Sequence, residues 1–167
     1  RAYRERGAAQ AGLGDLERAI EDLDEAVRLD PQDVSAYYHR AESYGRLGQD
    51  RLARQDFDVA IRLDPDDASV YLKRSAFYLG QGQSQRAIQD LDRAPQDLGA
   101  YYARGLVYFG QDRMGTAIQD FSQTLLRDPQ NALAHYSRGL AYFNVGDFES
   151  AIQDLGEAVK LDPGDAA

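Results

Sequence analysis

The sequence predicts an all-α protein built from five stacked helix-turn-helix units. Prolines close Leu-Asp-Pro or Arg-Asp-Pro elements at Pro31, Pro65, Pro129 and Pro163. The first two of these prolines are 34 residues apart, and so are the last two. A period of this length is typical of stacked-repeat proteins, because one short unit cannot bury its apolar face without neighbours. Apolar residues within a unit recur at steps of three and four, as in Ile20, Leu23 and Val27, which indicates amphipathic helices.

The period divides the chain into five units, and we expect a single solenoid over residues 1–167. The units are residues 1–31, 32–65, 66–95, 96–129 and 130–163. The third unit is shortened by four residues, because Ala94 runs directly into Pro95 whereas Ala60 and Pro65 are separated. Four residues are about one helical turn. The second helix of this unit is therefore expected to end at Ala94, about one turn early.

Each unit begins with the same ordered residues. The opening residue is aromatic or His, at Tyr3, Tyr37, Tyr71, Tyr101 and His135. An Arg follows three residues later, at Arg6, Arg40, Arg74, Arg104 and Arg138. The next residue is small, at Gly7, Ala41, Ser75, Gly105 and Gly139. We expect the two helices of a unit to touch at this small residue.

The second helix of each unit also carries a recurrent pattern. An Asp recurs at Asp22, Asp56, Asp90, Asp120 and Asp154. Between units, a short polar residue lies two positions beyond the proline, at Asp33, Asp67, Asp97, Asn131 and Asp165. Side chains of this type cap the free N–H groups at the start of a helix. The proline is thus expected to stop one helix, and the Asp or Asn to start the next.

This layout resembles the tetratricopeptide repeat, a 34-residue helix-turn-helix unit with an aromatic opener, a small contact residue, a Tyr, two Ala and a closing Pro. The Tyr position is filled by Tyr44, Tyr78, Tyr108 and Tyr142. The resemblance covers nearly the whole chain. It implies a right-handed superhelical solenoid that binds proteins or peptides without chemistry of its own.

The recurrent Arg and Asp depart from the family pattern, which usually has an apolar residue and a Tyr at these two positions. Their joint recurrence suggests that they meet as bidentate ion pairs between the two helices of a unit. We interpret all five pairs as structural. The alternative is a ladder of five Arg that binds an acidic ligand.

The resemblance also implies where a ligand would bind, because the first helices of this family line a concave groove. The matching positions that we assign to a peptide groove are Tyr38, Glu42, Leu72, Tyr102, Leu106, Phe109, Tyr136, Leu140 and Phe143. The positions from the first units are mixed and polar, whereas those from the last two are large and apolar. Either a tighter superhelix or an adjoining helix of the longer chain covers these apolar side chains, or they form a groove for an apolar peptide or an amphipathic helix.

Composition limits the other classes of function. The net charge is −9, from 19 basic and 28 acidic residues, so the protein repels phosphate backbones and nucleic acid is not an expected partner. No apolar run is long enough for direct membrane insertion. With no Cys and two His, the sequence predicts no enzyme, no cofactor and no metal site. His39 and Glu42 lie three apart on one helix, but two ligands do not make a metal site.

The sequence therefore predicts a protein-interaction scaffold that binds a peptide or an amphipathic helix. Two alternatives stay open: a non-catalytic arm of a larger enzyme, and a scaffold that self-assembles. Because the chain begins at Arg1 inside a helical pattern, we expect it to be a fragment of a longer protein. The last helix carries an apolar stripe of Ile152, Leu155, Val159 and Leu161. Two explanations of this stripe stay open: more protein follows and covers it, or the C-terminal end meets another molecule, as in a homo-oligomer.

Overall fold

The computed structural model describes residues 1–94 and 97–164, apart from the side chain of Leu98. This part of the chain contains ten helices: α1 (Ala2–Leu13), α2 (Leu16–Leu29), α3 (Val34–Arg46), α4 (Asp50–Leu63), α5 (Ala68–Gly80), α6 (Ser84–Leu91), α7 (Leu98–Gly110), α8 (Met114–Arg127), α9 (Ala132–Asn144) and α10 (Phe148–Leu161). The expected helix stop at Pro95 and the expected cap at Asp165 lie outside the described residues. The ten helices follow one another as the five predicted pairs.

The helices fall into two compact units, Arg1–Gln83 with α1 to α5 and Ser84–Ala167 with α6 to α10. Within Arg1–Gln83, α1 packs on α2, α2 on α3, and α3 on α4. Within Ser84–Ala167, α7 packs on α8, α8 on α9, and α9 on α10. Each helix pair therefore contacts the next pair through the second helix of one and the first helix of the other, as expected for a stacked repeat.

The first helices begin at the predicted caps. Asp33 accepts a hydrogen bond from the Ala36 N–H, and Asn131 accepts one from the Ala134 N–H. Asp67 and Asp97 cap α5 and α7 in the same way. These side chains satisfy backbone donors that have no partner within the helix.

Tight turns join the two helices of a pair. Four of these turns in the described residues place a glycine in the left-handed region, at Gly14, Gly48, Gly82 and Gly146. The turn before α8 has Asp112 instead, with φ of 60°. A Cβ atom disfavours this conformation, so Asp112 holds a position that glycine fills without strain.

The small residue that follows each Arg lets the helices of a pair approach closely. A Cβ added to Gly7 would lie 2.8 Å from Leu23 Cγ and 3.0 Å from the backbone oxygen of Ala19. Both Leu23 and Ala19 are completely buried. The expected contact between helices thus lies in the core of the repeat.

The shortened helix of the third unit ends earlier than the sequence analysis predicted. Helix α6 has 8 residues and ends at Leu91, whereas α4 has 14. Ala94 lies beyond the helix, and its N–H donates to the Leu91 carbonyl in a turn. The prediction that the helix ends at Ala94 is wrong. Proline disfavours helical backbone at the residue before it, and Ala94 directly precedes Pro95, so Ala94 does not belong to the helix. Ala94 nevertheless remains buried, at 1% exposure.

Candidate functional site: the first-helix surfaces

The recurrent Arg and Asp form bidentate pairs between the two helices of a repeat. In the described residues, each Asp oxygen accepts from one guanidinium nitrogen in Arg6–Asp22, Arg40–Asp56, Arg104–Asp120 and Arg138–Asp154, at 2.6–2.8 Å. Asp90 is buried on α6, and the pairing of Arg74 with Asp90 stays a prediction. Each observed Arg is thus held by its own repeat, as a structural ion pair requires.

A second set of acidic residues, which the sequence analysis missed, links neighbouring repeats. Arg40 Nη1 is 2.7 Å from Asp24, Arg74 Nη1 is 2.7 Å from Asp58, and Arg104 Nη1 is 2.5 Å from Asp92. Each of these acids lies two residues after the recurrent Asp of the preceding repeat. The Asp-x-Asp spacing in the sequence was the signal that could have revealed them. These Arg therefore connect repeats to one another.

In the last repeat, three side-chain nitrogens contact the recurrent Asp. Asp154 contacts the Arg138 guanidinium, and its Oδ1 lies 3.0 Å from His135 Nδ1. Burial acts to raise the pKa of Asp154, but the hydrogen bonds from Arg138 and His135 outweigh it, so this pKa lies below the usual aspartate value. The carboxylate is therefore ionised at neutral pH.

In the unit Arg1–Gln83, the predicted groove positions form a charged surface. Glu42 Oε1 accepts from Lys73 Nζ at 2.9 Å, and its Oε2 lies 3.4 Å from His39 Nδ1. Burial acts to raise the pKa of Glu42, but the bonds from His39 and Lys73 outweigh it, and this pKa lies below its usual value. Tyr38 and Leu72 beside them are half-buried. A pocket of about 320 Å³ lies next to Glu42 and Lys73, between α3 and α5.

In the unit Ser84–Ala167, the predicted groove positions on α7 and α9 divide into two groups. Tyr102 and Phe109 pack against the buried core around Phe121, and the Tyr102 hydroxyl lies 3.2 Å from Ser137 Oγ on α9. Leu140 is half-buried. In contrast, the side chains of the other three positions are exposed: Leu106 by 43%, Tyr136 by 51% and Phe143 by 57%.

The stripe on the last helix is also divided. Ile152 and Val159 are exposed, whereas Leu155 and Leu161 are half-buried. Within the part of the chain that the structure describes, no three His, Cys, Asp or Glu side chains lie together as a metal site. Among the same residues, no helix combines the length and the apolar character needed to cross a bilayer.

Comparisons with known proteins identify the family. A family model described as TPR repeat matches residues 11–48, and three described as tetratricopeptide repeat match residues 34–67, 57–89 and 102–166. Together they cover most of the chain. It is a tetratricopeptide repeat protein. No curated protein sequence gives a significant match.

Solved structures of other proteins share the fold of this tetratricopeptide repeat protein. A crystal structure of MamA is 26% identical, with a TM-score of 0.81 over 96% of each chain. YrrB, described as a TPR protein with an unusual peptide-binding site, is 23% identical over 97% of this chain and 86% of that one, with a TM-score of 0.72. PilF of Pseudomonas aeruginosa is 20% identical over 95% and 74%, with a TM-score of 0.86. The predicted solenoid class is thereby confirmed.

Proposed function

We propose that this tetratricopeptide repeat protein is an interaction scaffold that binds an apolar peptide or an amphipathic helix on α7 and α9. One observation carries the proposal. Leu106, Tyr136 and Phe143 are large apolar side chains on two neighbouring first helices, and about half of each is exposed to water. Covering them with a ligand removes this apolar surface from water, at roughly 25 cal/mol for each Å².

Two aromatic side chains of α7 and α9 already make contacts that restrict their conformation. Tyr102 is held by its ring contact with Phe121, at 5.8 Å between centroids, and by its hydroxyl contact with Ser137. The exposed Phe143 ring makes an edge contact with Phe148, at 5.5 Å. Aromatic anchors whose conformation is already fixed lose little entropy on binding, which is why they dominate interaction hot spots.

We propose that the predicted positions within Arg1–Gln83 form a polar contact surface of their own. Glu42 and Lys73 pair with each other, and both keep part of their side chains open to water, 33% and 43%. A peptide carrying charged or amide groups would exchange hydrogen bonds with them, which adds specificity rather than affinity. The YrrB fold, with its described peptide-binding site, offers a parallel at the level of the fold.

A displayed library of random peptides tests the proposal. Peptides selected on the wild-type protein would be measured by fluorescence anisotropy against the double variant Leu106→Asp, Phe143→Asp. We expect binding to weaken about tenfold or more, because two apolar anchors become charged. The matched control is Leu126→Asp, since Leu126 is an exposed leucine of α8. Peptides that bind the double variant as well as the wild type would refute this site.

A further inference from the structure

We propose that the junction between α8 and α9 is a second binding site, which takes an acidic side chain of a partner protein. The partner's carboxylate would bind the Arg138 guanidinium beside Ser122. These two side chains belong to neighbouring repeats and already contact each other. The site does not include Leu106, Tyr136 or Phe143 of the proposed peptide surface, so each can be tested without the other.

Other repeats show that an Arg at this position also binds a carboxylate of the preceding repeat. Arg40 pairs with Asp56 of its own repeat and with Asp24 of the preceding one. The acids that occupy this second position are Asp24, Asp58 and Asp92, whose side chains are 52–56% exposed. Water reaches the position from outside, so a carboxylate of another molecule can reach it too.

Ser122 occupies the same position in the fourth repeat, two residues after the recurrent Asp. Arg138 Nη1 donates to Ser122 Oγ at 3.0 Å, and that hydroxyl donates to the Ile118 carbonyl at 2.7 Å. Nη1 carries two N–H groups, and Ser122 accepts from one of them. Among the described residues, the carboxylate partner of Arg138 is Asp154 alone. The junction therefore has one negative charge fewer than that of Arg40, which complements an incoming acid.

An open pocket lies beside this pair of side chains. Its volume is about 480 Å³, and Ser122, Arg138, Leu125 and Pro129 are among the residues that line it. Ligand pockets in proteins have volumes of about 300–1,000 Å³, so the space admits an acidic side chain together with a neighbouring one. The Arg138 side chain is 21% exposed, although Asp154 holds it. The guanidinium is therefore both fixed in place and open to the pocket.

The other ionisable groups at the pocket already have partners. The Glu157 carboxylate accepts from Lys160 Nζ at 2.8 Å, which offsets its charge. His135 Nδ1 lies 3.0 Å from Asp154 Oδ1, and its Nε2 lies 3.2 Å from the Pro129 carbonyl. Charges farther than about 8 Å are screened at physiological ionic strength, so these neighbours matter more than the net charge of −9. An acid that approaches the pocket thus meets the guanidinium as its main charged partner.

The rim of the pocket favours an acid with an apolar neighbour. Leu126 is 74% exposed, and Pro129, which also lines the pocket, is exposed as well. At the position of Leu126, the first two repeats have Arg28 and Arg62, both exposed. Leu in place of Arg adds apolar surface that a partner can cover. We therefore expect the partner to carry an apolar residue next to its Asp or Glu.

The first experiment titrates the isotope-labelled protein with two tripeptides, N-acetyl-leucyl-glutamyl-leucinamide and its glutaminyl counterpart. NMR spectra follow the Arg138 Nε signal and the Ser122 amide signal. The glutamyl peptide should shift both signals at millimolar concentration. The glutaminyl peptide should bind about tenfold more weakly, because a hydrogen bond to a charged group is lost. Missing shifts, or equal affinity of the two peptides, would overturn the proposal.

Variants of the pocket test where the glutamyl peptide binds. Ser122→Asp places the chain's own carboxylate on Arg138 and should abolish binding. Leu126→Asp should weaken it about tenfold, because it removes an apolar contact and adds a repelling charge, while apolar peptides still bind α7 and α9. Gln123→Asp is the matched control and should bind as the wild type does, since Gln123 is exposed on α8 and does not line the pocket. Undiminished binding by Ser122→Asp would contradict the assignment.

The second experiment needs no ligand. At low salt, Ser122→Asp should have a melting temperature about 1–4 °C above that of Ser122→Asn, the range of an exposed ion pair in a domain of this size. Asn has the same shape without the charge, and the difference should shrink at high salt because surface charges are screened. Equal melting temperatures at low salt would show that Arg138 does not accept a second carboxylate, and the proposed site would then be wrong.

Discussion

The Arg–Asp pairs differ at the residue scale in how much water reaches the guanidinium. The side chain of Arg40 is 15% exposed, and that of Arg6 is 64% exposed. The two carboxylates, Asp56 and Asp22, are buried to a similar extent. Loss of the carboxylate thus leaves a buried charge in one repeat and a hydrated charge in the other.

This difference predicts unequal effects of one substitution. Asp56→Ala should lower the free energy of unfolding by about 3 kcal/mol, because the buried Arg40 loses both hydrogen bonds to Asp56 and keeps only the exposed Asp24 as a charged partner. Asp22→Ala should cost clearly less, since water can solvate Arg6. Urea denaturation of both variants measures the difference. Equal losses would show that the exposure of the Arg does not decide the cost.

The pKa of Asp154 predicts a dependence of stability on pH. This pKa is lower in the folded protein than its ordinary value, so ionised Asp154 stabilises the fold above the unfolded value of about 3.9. That contribution is lost as the pH falls through the folded pKa. The free energy of unfolding should therefore decrease on acidification below about pH 4, and Asp154→Asn should show a smaller decrease. Parallel pH profiles for the two proteins would contradict this assignment.

The turn residue Asp112 predicts a substitution that stabilises the protein. Asp112 has φ of 60°, where the other turns of this kind in the described residues have glycine. Asp112→Gly should raise the free energy of unfolding by about 0.5–1 kcal/mol, because glycine adopts this backbone without a Cβ clash. The control is Gly146→Asp, which introduces the strain elsewhere and should destabilise. Thermal unfolding measures both changes.

At the scale of elements, α6 is the exception among the second helices. It has 8 residues, against 14 in α4 and α8. The missing part would have carried the counterparts of Ile61 and Leu63, and burial of each such side chain contributes roughly 1.5–3 kcal/mol. Helices in a stacked repeat depend on their neighbours for stability, so a short one opens more readily.

We therefore expect faster amide hydrogen exchange in α6 than in the other second helices. Leu91 in α6 and Phe57 in α4 are both almost completely buried, at 2% and 0% exposure, so burial of the side chain does not explain a difference. Exchange followed by mass spectrometry should give lower protection at Leu91, with Phe121 of α8 as the control. Protection at Leu91 equal to that at Phe57 would refute a weak third repeat.

At the scale of the whole molecule, the net charge predicts that the protein does not bind nucleic acid. The charge of −9 opposes approach to a phosphate backbone. Duplex DNA in an anisotropy titration should show no binding at about 0.15 M ionic strength, and lower salt should not create it, because weaker screening strengthens repulsion. Binding that increases at low salt would reveal a local basic surface strong enough to overcome the net charge.

Much of this architecture could be predicted from the sequence by itself. Helix spacing, caps and the Arg and Asp positions all recur within one chain, so the pattern in each repeat supports the assignment made for the others. Asp33 caps α3 through an N–H three residues ahead, and Arg6 meets Asp22 across one turn between helices. Such features depend on residues close in the chain, and local backbone geometry is enough to decide them.

Only the tertiary structure decided which of the predicted groove residues face water. Tyr102 and Leu106 are both large residues of α7, yet Tyr102 packs on Phe121 while Leu106 is 43% exposed. The same holds for Asp24, whose partner Arg40 comes from the next repeat. Periodicity predicts the face of a helix, but exposure depends on how closely neighbouring pairs pack, and that distance is set by side chains far apart in the chain.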